Sequence, residues 1–474
     1  MATVTIMDPV TRIEGHLKVE LTIDRKGAAY QVTNARCTGT LFRGFETILK
    51  GRDAWDAPIL TARICGVCPV SHSLAAVKAL DAATGRKPPA NGRLIRNLVL
   101  GANYLQSHIL HFYLLAALDY AAGPGTAPWA PAWDLDLRPG GEAIVTNLAQ
   151  AVEARRLAHQ MGSIFGGRMP LPHTFVSGGA TAVPTAERVA QFRDNLNWLT
   201  DFIRSIYIPD VELLARLYPD YLAIGKGSAN LLSYGVFDLS DTSTKTLLAR
   251  GVVAAAAPGN VKAFVADSIT ESVRSSWYAD STDNLKPSVG ATVPQYPKTG
   301  AYSWLKAPRY GGLPHETGAL ARMWVTGDYR RGVSVMDRHL ARAREALKVA
   351  LAMGQWLDQL AEGQPVHNPQ AARTDGNGLG LTEAPRGALG HWVQVKSGKI
   401  AFYQVVTPTC WNASPRDGKG VPGPMEQALI GTPVADPQRP IEALRVIHSF
   451  DPCLSCAVHV MMPGRAPTVV HRPG

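Results

Sequence analysis

The sequence predicts an α+β protein, predominantly helical, with helices filling the middle of the chain and β-hairpins towards its ends. Long segments whose apolar residues recur at helical spacing occupy 91–123, 143–164, 185–217 and 332–362. Two shorter segments alternate apolar and polar residues around a polar, glycine-containing turn. The first covers 16–36, with Leu17, Val19, Leu21 and Ile23 on one face and a break at Asp24-Arg25-Lys26-Gly27. The second covers 391–406, where HWVQV and IAFYQVV flank Lys396-Ser397-Gly398-Lys399.

Between them the pattern turns helical over 44–85, interrupted by RICGVCP at 63–69. Asn91 can cap a long helix through Leu94, Ile95, Leu98, Tyr104, Ile109 and Phe112, ending near Gly123. The Gly/Pro-rich connections 121–141 and 285–314 are too long for simple turns. A last helix near 440–450 runs straight into DPCLSCAVH. No internal repeat or low-complexity linker divides the chain, so its two ends are expected to meet in one domain.

Composition narrows the function classes. A chain of 474 residues, 46% hydrophobic and 18% charged, can bury a sizeable core and is neither disordered, collagen-like nor a disulfide scaffold. The net charge is +10, but the basic residues are scattered and form no block, which argues against nucleic acid as a partner. No apolar stretch reaches the ~20 residues of a membrane span. The opening MATVTIMDPVTRIEG has no apolar h-region, so no signal peptide is expected and any export would depend on another chain.

Six cysteines carry the strongest signal. Four form two C-x-x-C pairs, Cys65/Cys68 and Cys453/Cys456, separated by nearly the whole chain. Buried structural thiols would explain such pairs, and a four-cysteine zinc site would too, although zinc ribbons usually place their pairs within ~15–20 residues. Neither pair sits in a thioredoxin-like strand-to-helix turn of a βαβ unit. Charged and imidazole neighbours (Arg63, His72, Asp451 and His459) surround them, which a structural site does not need. Four thiolates are soft ligands suited to zinc, copper(I), iron–sulfur or a nickel–iron centre.

At these residues the chain resembles the large subunit of nickel–iron hydrogenases. The resemblance runs through DPVTRIEGHL (8–17), RGFE (43–46), RICGVCPVSH (63–72) and SHILHFY (107–113), then EAPRGALGHW (383–392), YQVVTPTCWNASPRD (403–417) and DPCLSCAVH (451–459). It implies that family's large-subunit fold, a central helical bundle with peripheral β-hairpins, and reversible heterolysis of dihydrogen. By resemblance, Cys65, Cys68, Cys453 and Cys456 hold nickel, with Cys68 and Cys456 bridging to an iron that carries carbonyl and cyanide ligands. Cys453 is the first proton acceptor, and Glu14 relays the proton onward, a task that needs a pKa raised by burial. Arg386 projects over the iron, Thr409 donates to a cyanide, Pro385 shapes the pocket wall, and His72 and Asp451 lie around the metals. Glu46, the Val405 carbonyl and His459 match the family's magnesium site.

The same resemblance implies partners. No cysteines remain for a cluster, so an iron–sulfur small subunit must take the electrons. Cys37 and Cys410 read as structural. A maturation protease would cut between His459 and Val460, removing VMMPGRAPTVVHRPG (460–474) after nickel-insertion proteins have acted. The mature chain would then be a single domain, 1–459. Periplasmic placement would come from a twin-arginine signal on the small subunit, with a membrane cytochrome reached through it; a cytoplasmic location is the alternative. Ser107 stands where many relatives carry aspartate, Cys410 where threonine is common, and cysteine at 453 excludes the selenocysteine variant. A hydrogen-sensing subunit is disfavoured by the tail, and a quinone-reductase-type relative by the four retained cysteines. A plain zinc protein is the remaining rival.

Overall fold

The computed structural model describes residues 3–8, 15–122, 135–240, 245–369 and 375–453. The expected N-terminal hairpin is present as β2 (Leu17–Lys26) and β3 (Ala29–Gly39), flanked by β1 (Thr3–Met7) and by Pro433–Val434 in one antiparallel sheet. Along β2 the residues alternate buried and half-buried, as the sequence pattern requires of a sheet with one covered face.

The helical middle is a bundle. Helices α1 (Pro69–Thr84), α2 (Ala90–Leu110), α3 (Leu148–Gly166) and α4 (Ala186–Phe202) are followed by α5 (Ile208–Leu217). Later come α6 (Ala319–Thr326), α7 (Val335–Gln359) and α8 (Ile441–Ser449). Helix α2 packs on α3 and α7, and α3 on α4, around a core that runs from Met7 to Phe450. None of the described helices is long and apolar enough to cross a membrane.

Two long helical patterns are broken where the sequence reads as continuous. After Leu110 the chain widens into a π turn, His111–Ala116, and tightens into a 3-10 turn, Ala117–Asp119. The 185–217 pattern splits at a second π turn, Ile203–Tyr207, just before Pro209 at the start of α5. Proline lacks the N–H and its ring collides with the carbonyl four residues back, so the helix must open there.

The middle is less uniformly helical than its sequence suggests. Strands β4 (Leu231–Asp238) and β5 (Thr246–Val253) pair within it, and all but the last residue of β4 is buried. A strand covered on both faces shows no alternation, which is why LLSYGVFD gives no period-2 signal. The second expected hairpin, β7 (Gly387–Lys396) and β8 (Lys399–Val406), gains a third strand, β6 (Gly376–Ala384). This sheet lies against α1. Gly376, Gly378 and Gly380 approach it so closely that an added Cβ would fall 2.0, 1.8 and 2.0 Å from the carbonyls of Ala83, Ala79 and Ala75.

Candidate metal centre

Cys65, Cys68 and Cys453 converge from opposite ends of the chain. Cys65 Sγ lies 2.8 Å from Cys68 Sγ and 3.2 Å from Cys453 Sγ, and all three thiols are buried. Cys68 is the N-cap of α1, with Pro69 at the first helical position and the positive end of the helix dipole beside the sulfur. The Val67 and Cys68 N–H groups both donate to Cys65 Sγ, at 3.4 and 3.1 Å. Ile64, Ala384, Phe45, Val67 and Val405 wall the thiols with apolar surface. Cys456, His459 and Val460 lie outside the described residues, as does Glu14.

Cys453 is brought in by α8 and the segment after it. His111 Nε2 donates to the His448 carbonyl at 2.7 Å, and Arg342 Nη2 to the Ser449 carbonyl at 2.9 Å. Asp451 takes a left-handed backbone, φ 55°, a conformation aspartate tolerates better than most residues. The Cys453 N–H donates to Thr409 Oγ1 at 3.2 Å.

Arg386 occupies the turn between β6 and β7. Its Nε is 3.0 Å from Asp451 Oδ1 as an ion pair outside hydrogen-bond geometry, and its Nη1 donates to Ser107 Oγ at 3.4 Å. Nη2 has no hydrogen-bond partner among the described residues although the side chain is buried. Burial opposes its charge, but the Asp451 carboxylate and, as thiolates, Cys453, Cys68 and Cys65 hold it cationic. An arginine with a donor in hand beside three thiols suits a charged metal-bound group.

His72 lies one turn into α1. Its Nδ1 is 3.2 Å from His391 Nε2, whose Nδ1 is 2.8 Å from the Tyr403 hydroxyl, a buried line from the thiols into the sheet. Burial pushes His72 down to about 4, with the Cys65 thiolate pulling the other way, so the imidazole is neutral at physiological pH.

Glu46 and Val405 line a separate cavity of about 50 Å³ with Glu271, Lys306 and Cys410. Burial raises the Glu46 carboxyl, the Lys306 ammonium partly offsets this, and Glu271 adds to it. Lys306 Nζ reaches Glu271 Oε2 at 3.4 Å and Gln404 Oε1 at 3.0 Å. The Glu46 carboxylate and the Val405 carbonyl offer oxygen donors of the type a magnesium ion takes, while the Glu271 carboxylate beside them already faces the Lys306 ammonium. Cys410 accepts from Thr407 Oγ1 at 3.2 Å, and burial pushes its thiol up to about 11.

A charged network behind the thiols is not legible in the sequence. His108, Glu345, Arg322 and Glu383 are fully buried and linked by contacts of 2.6–2.9 Å. Glu383 and His108 stand inside the motifs quoted above, the only signal available. Arg322 and Glu345 belong to amphipathic helices, where a charged residue reads as solvated surface.

The geometry defines a class: a large α+β chain folded around a buried cluster of three thiols, drawn from its two ends, that could hold a metal ion. Comparison with known proteins identifies which one. The nickel-dependent hydrogenase family model matches residues 43–123, 134–332 and 328–459, and a HoxL-like model matches 3–38. The chain is 42% identical to the periplasmic [NiFeSe] hydrogenase large subunit of Desulfomicrobium baculatum, over 96% of this chain and 94% of the relative. It is 35% identical to the uptake hydrogenase large subunit of Bradyrhizobium diazoefficiens, over 97% and 95%. Among solved structures, a chain of the Ni-Fe-Se hydrogenase from D. vulgaris Hildenborough in the reduced state superposes with a TM-score of 0.92 at 43% identity, covering 97% of this chain and all of that one. The chain belongs to the nickel-dependent hydrogenase large-subunit family, a family of oxidoreductases. Selenium appears in the names of several of these relatives, whereas this chain encodes cysteine at 453.

Proposed function

We propose that this chain is the catalytic subunit of a nickel–iron hydrogenase, cleaving dihydrogen reversibly and heterolytically and passing electrons to an iron–sulfur small subunit. The observation that carries the reading is the convergence of Cys65, Cys68 and Cys453, three buried soft ligands within 4.8 Å of one another. With Cys456 they would hold nickel, and Cys68 and Cys456 would also hold an iron bearing carbonyl and cyanide. When bound, this centre supplies the Lewis acidity that polarises dihydrogen and the path by which electrons leave.

The protein's own groups do the rest. The Cys453 sulfur takes the proton and Glu14 relays it outward. Arg386, ion-paired to Asp451, supplies fixed positive charge and a spare donor in a dry pocket. Thr409 is near enough to Cys453 to donate to a cyanide, Pro385 forms the wall, and His72 tunes the sulfur ligands as a neutral imidazole. Glu46, the Val405 carbonyl and His459 would hold magnesium.

The mature chain would be one domain, 1–459, left when a maturation protease cuts between His459 and Val460 after nickel-insertion proteins have acted. Kinship with a periplasmic relative supports co-export with a small subunit carrying a twin-arginine signal. Electrons would continue to a membrane cytochrome through that subunit. Elemental analysis and hydrogen/deuterium exchange on the co-expressed heterodimer test the proposal. Nickel and iron should be present, and Glu14→Gln should retain both while slowing exchange about 100-fold or more. Zinc in place of nickel and iron would sink the hydrogenase reading, and unchanged exchange would remove Glu14 from the proton path.

A further inference from the structure

The turn that carries Arg386 is built against its own interest. Ala384 pairs with Gly387, leaving Pro385 and Arg386 as a two-residue hairpin loop. The turns that suit such loops need a positive φ at the first central residue. Pro385 cannot supply one, because its ring fixes φ near −65°. Arg386 itself makes only the 3.4 Å bond to Ser107 and the ion pair with Asp451. The turn type does not favour this loop, and the guanidinium's own contacts are one long hydrogen bond and one ion pair outside hydrogen-bond geometry.

The support comes from α6. Arg322 is fully buried and uses all five of its N–H donors, the full complement of a guanidinium. Nε and Nη2 take the two oxygens of Glu345 at 2.9 and 2.6 Å, and Nη1 takes Glu383 Oε2 at 2.9 Å. The remaining two donate to the Ala384 carbonyl at 3.0 Å and the Pro385 carbonyl at 2.8 Å, the two peptide groups just before Arg386. Asn412 Nδ2 reaches the next carbonyl, that of Arg386, at 3.5 Å. The two segments press together: a Cβ at Gly387 would fall 2.2 Å from Thr317 Oγ1 and 3.0 Å from the Gly318 nitrogen, and one at Gly318 3.2 Å from the Arg386 carbonyl.

We infer that Arg322 is the positioning residue for Arg386: it brackets the 384–385 backbone and so fixes where the Arg386 guanidinium stands, without touching the metal centre itself. The inference rests on the reading that Arg386 acts at that centre. A lysine has three donors on a point charge and cannot span two carboxylates and two carbonyls. A bracketed catalytic side chain displaced by about 1 Å loses about 100-fold in rate.

A double-mutant cycle on the co-expressed heterodimer tests this with Arg322→Lys and Arg386→Lys. Hydrogen/deuterium exchange, nickel content and the nickel electron paramagnetic resonance spectrum are read together. Arg322→Lys should load nickel as the wild type does, slow exchange about 10- to 100-fold and shift the nickel resonance in the same sense as Arg386→Lys. In the Arg386→Lys background the same substitution should cost less than about 3-fold. Equal losses in both backgrounds, or wild-type exchange in Arg322→Lys, would overturn the inference while leaving Arg386 in its role. A silent Arg386→Lys would instead overturn the reading of Arg386 and the inference with it. If Arg322→Lys yields no folded heterodimer, Glu383→Gln removes one charged contact of the bracket and enters the same cycle with the same expected and contrary outcomes.

Discussion

At the scale of single residues, burial and neighbouring charge compete, and the winner differs from one residue to the next. Glu345 and Glu383 both contact Arg322, yet they part company. Burial works against the charge of each, but Arg322 and His108 hold Glu345 down at about 2, while Glu383 is pushed up to about 7. His315 shows the same effect away from the metal site. It is 3% exposed, its Nδ1 donates to the Leu313 carbonyl at 3.0 Å, and burial pushes it down to about 4. Below its ordinary pKa of 6.5 the unfolded chain binds a proton that the folded chain refuses. This residue's contribution therefore erodes stability as pH falls from 6.5 towards 4, by at most about 3 kcal/mol. His315→Gln should flatten the fall in unfolding temperature between pH 6.5 and 4.5 and change little above pH 7. An unaltered slope would show that His315 is not the group responsible.

Among elements, the contact of α1 with β6 does most to shape the site. Helix α1 carries Cys68 at its start, and β6 leads into the turn that carries Arg386. The two lie backbone to backbone, which glycine alone permits at 376, 378 and 380. Gly378→Ala would place a methyl group 1.8 Å from the Ala79 carbonyl. The strand must then lift from the helix, at a cost of about 3 kcal/mol or more, and the Cys68 and Arg386 arms must separate. Nickel per chain and the unfolding temperature should both fall. Gly354→Ala provides the contrast: it lies inside α7 facing open space, so it should raise stability by about 0.5–1 kcal/mol with full nickel content. Equal behaviour of the two variants would refute the close-packing account.

Across the whole molecule, the thiols of Cys65, Cys68 and Cys453 join the first and last parts of the chain, so a metal held there would link its binding to closure of the fold. Cys453→Ala removes the thiol that the C-terminal arm brings to the cluster while leaving the arm's seat on His111 and Arg342 intact. Intact-mass measurement should find wild type ending at His459 and Cys453→Ala still carrying 460–474, with no nickel bound. A processed, nickel-loaded Cys453→Ala chain would contradict the ligand assignment.

The sequence by itself determined the α+β class, the two hairpins, the main helices and which cysteines are candidates to hold a metal, because periodicity and C-x-x-C spacing are local patterns. It also carried the family motifs from end to end. It could not reveal β4, because a strand buried on both faces has no alternation, nor the third strand β6, whose glycines read as loop. Only the tertiary structure decided that Cys453 lies 3.2 Å from Cys65 across most of the chain's length, and that Arg322 and Glu345 are buried partners rather than solvated charges. Both facts depend on which surfaces the bundle and sheet press together. No local pattern encodes this, since a buried ion pair and an exposed one are spelled with the same residues.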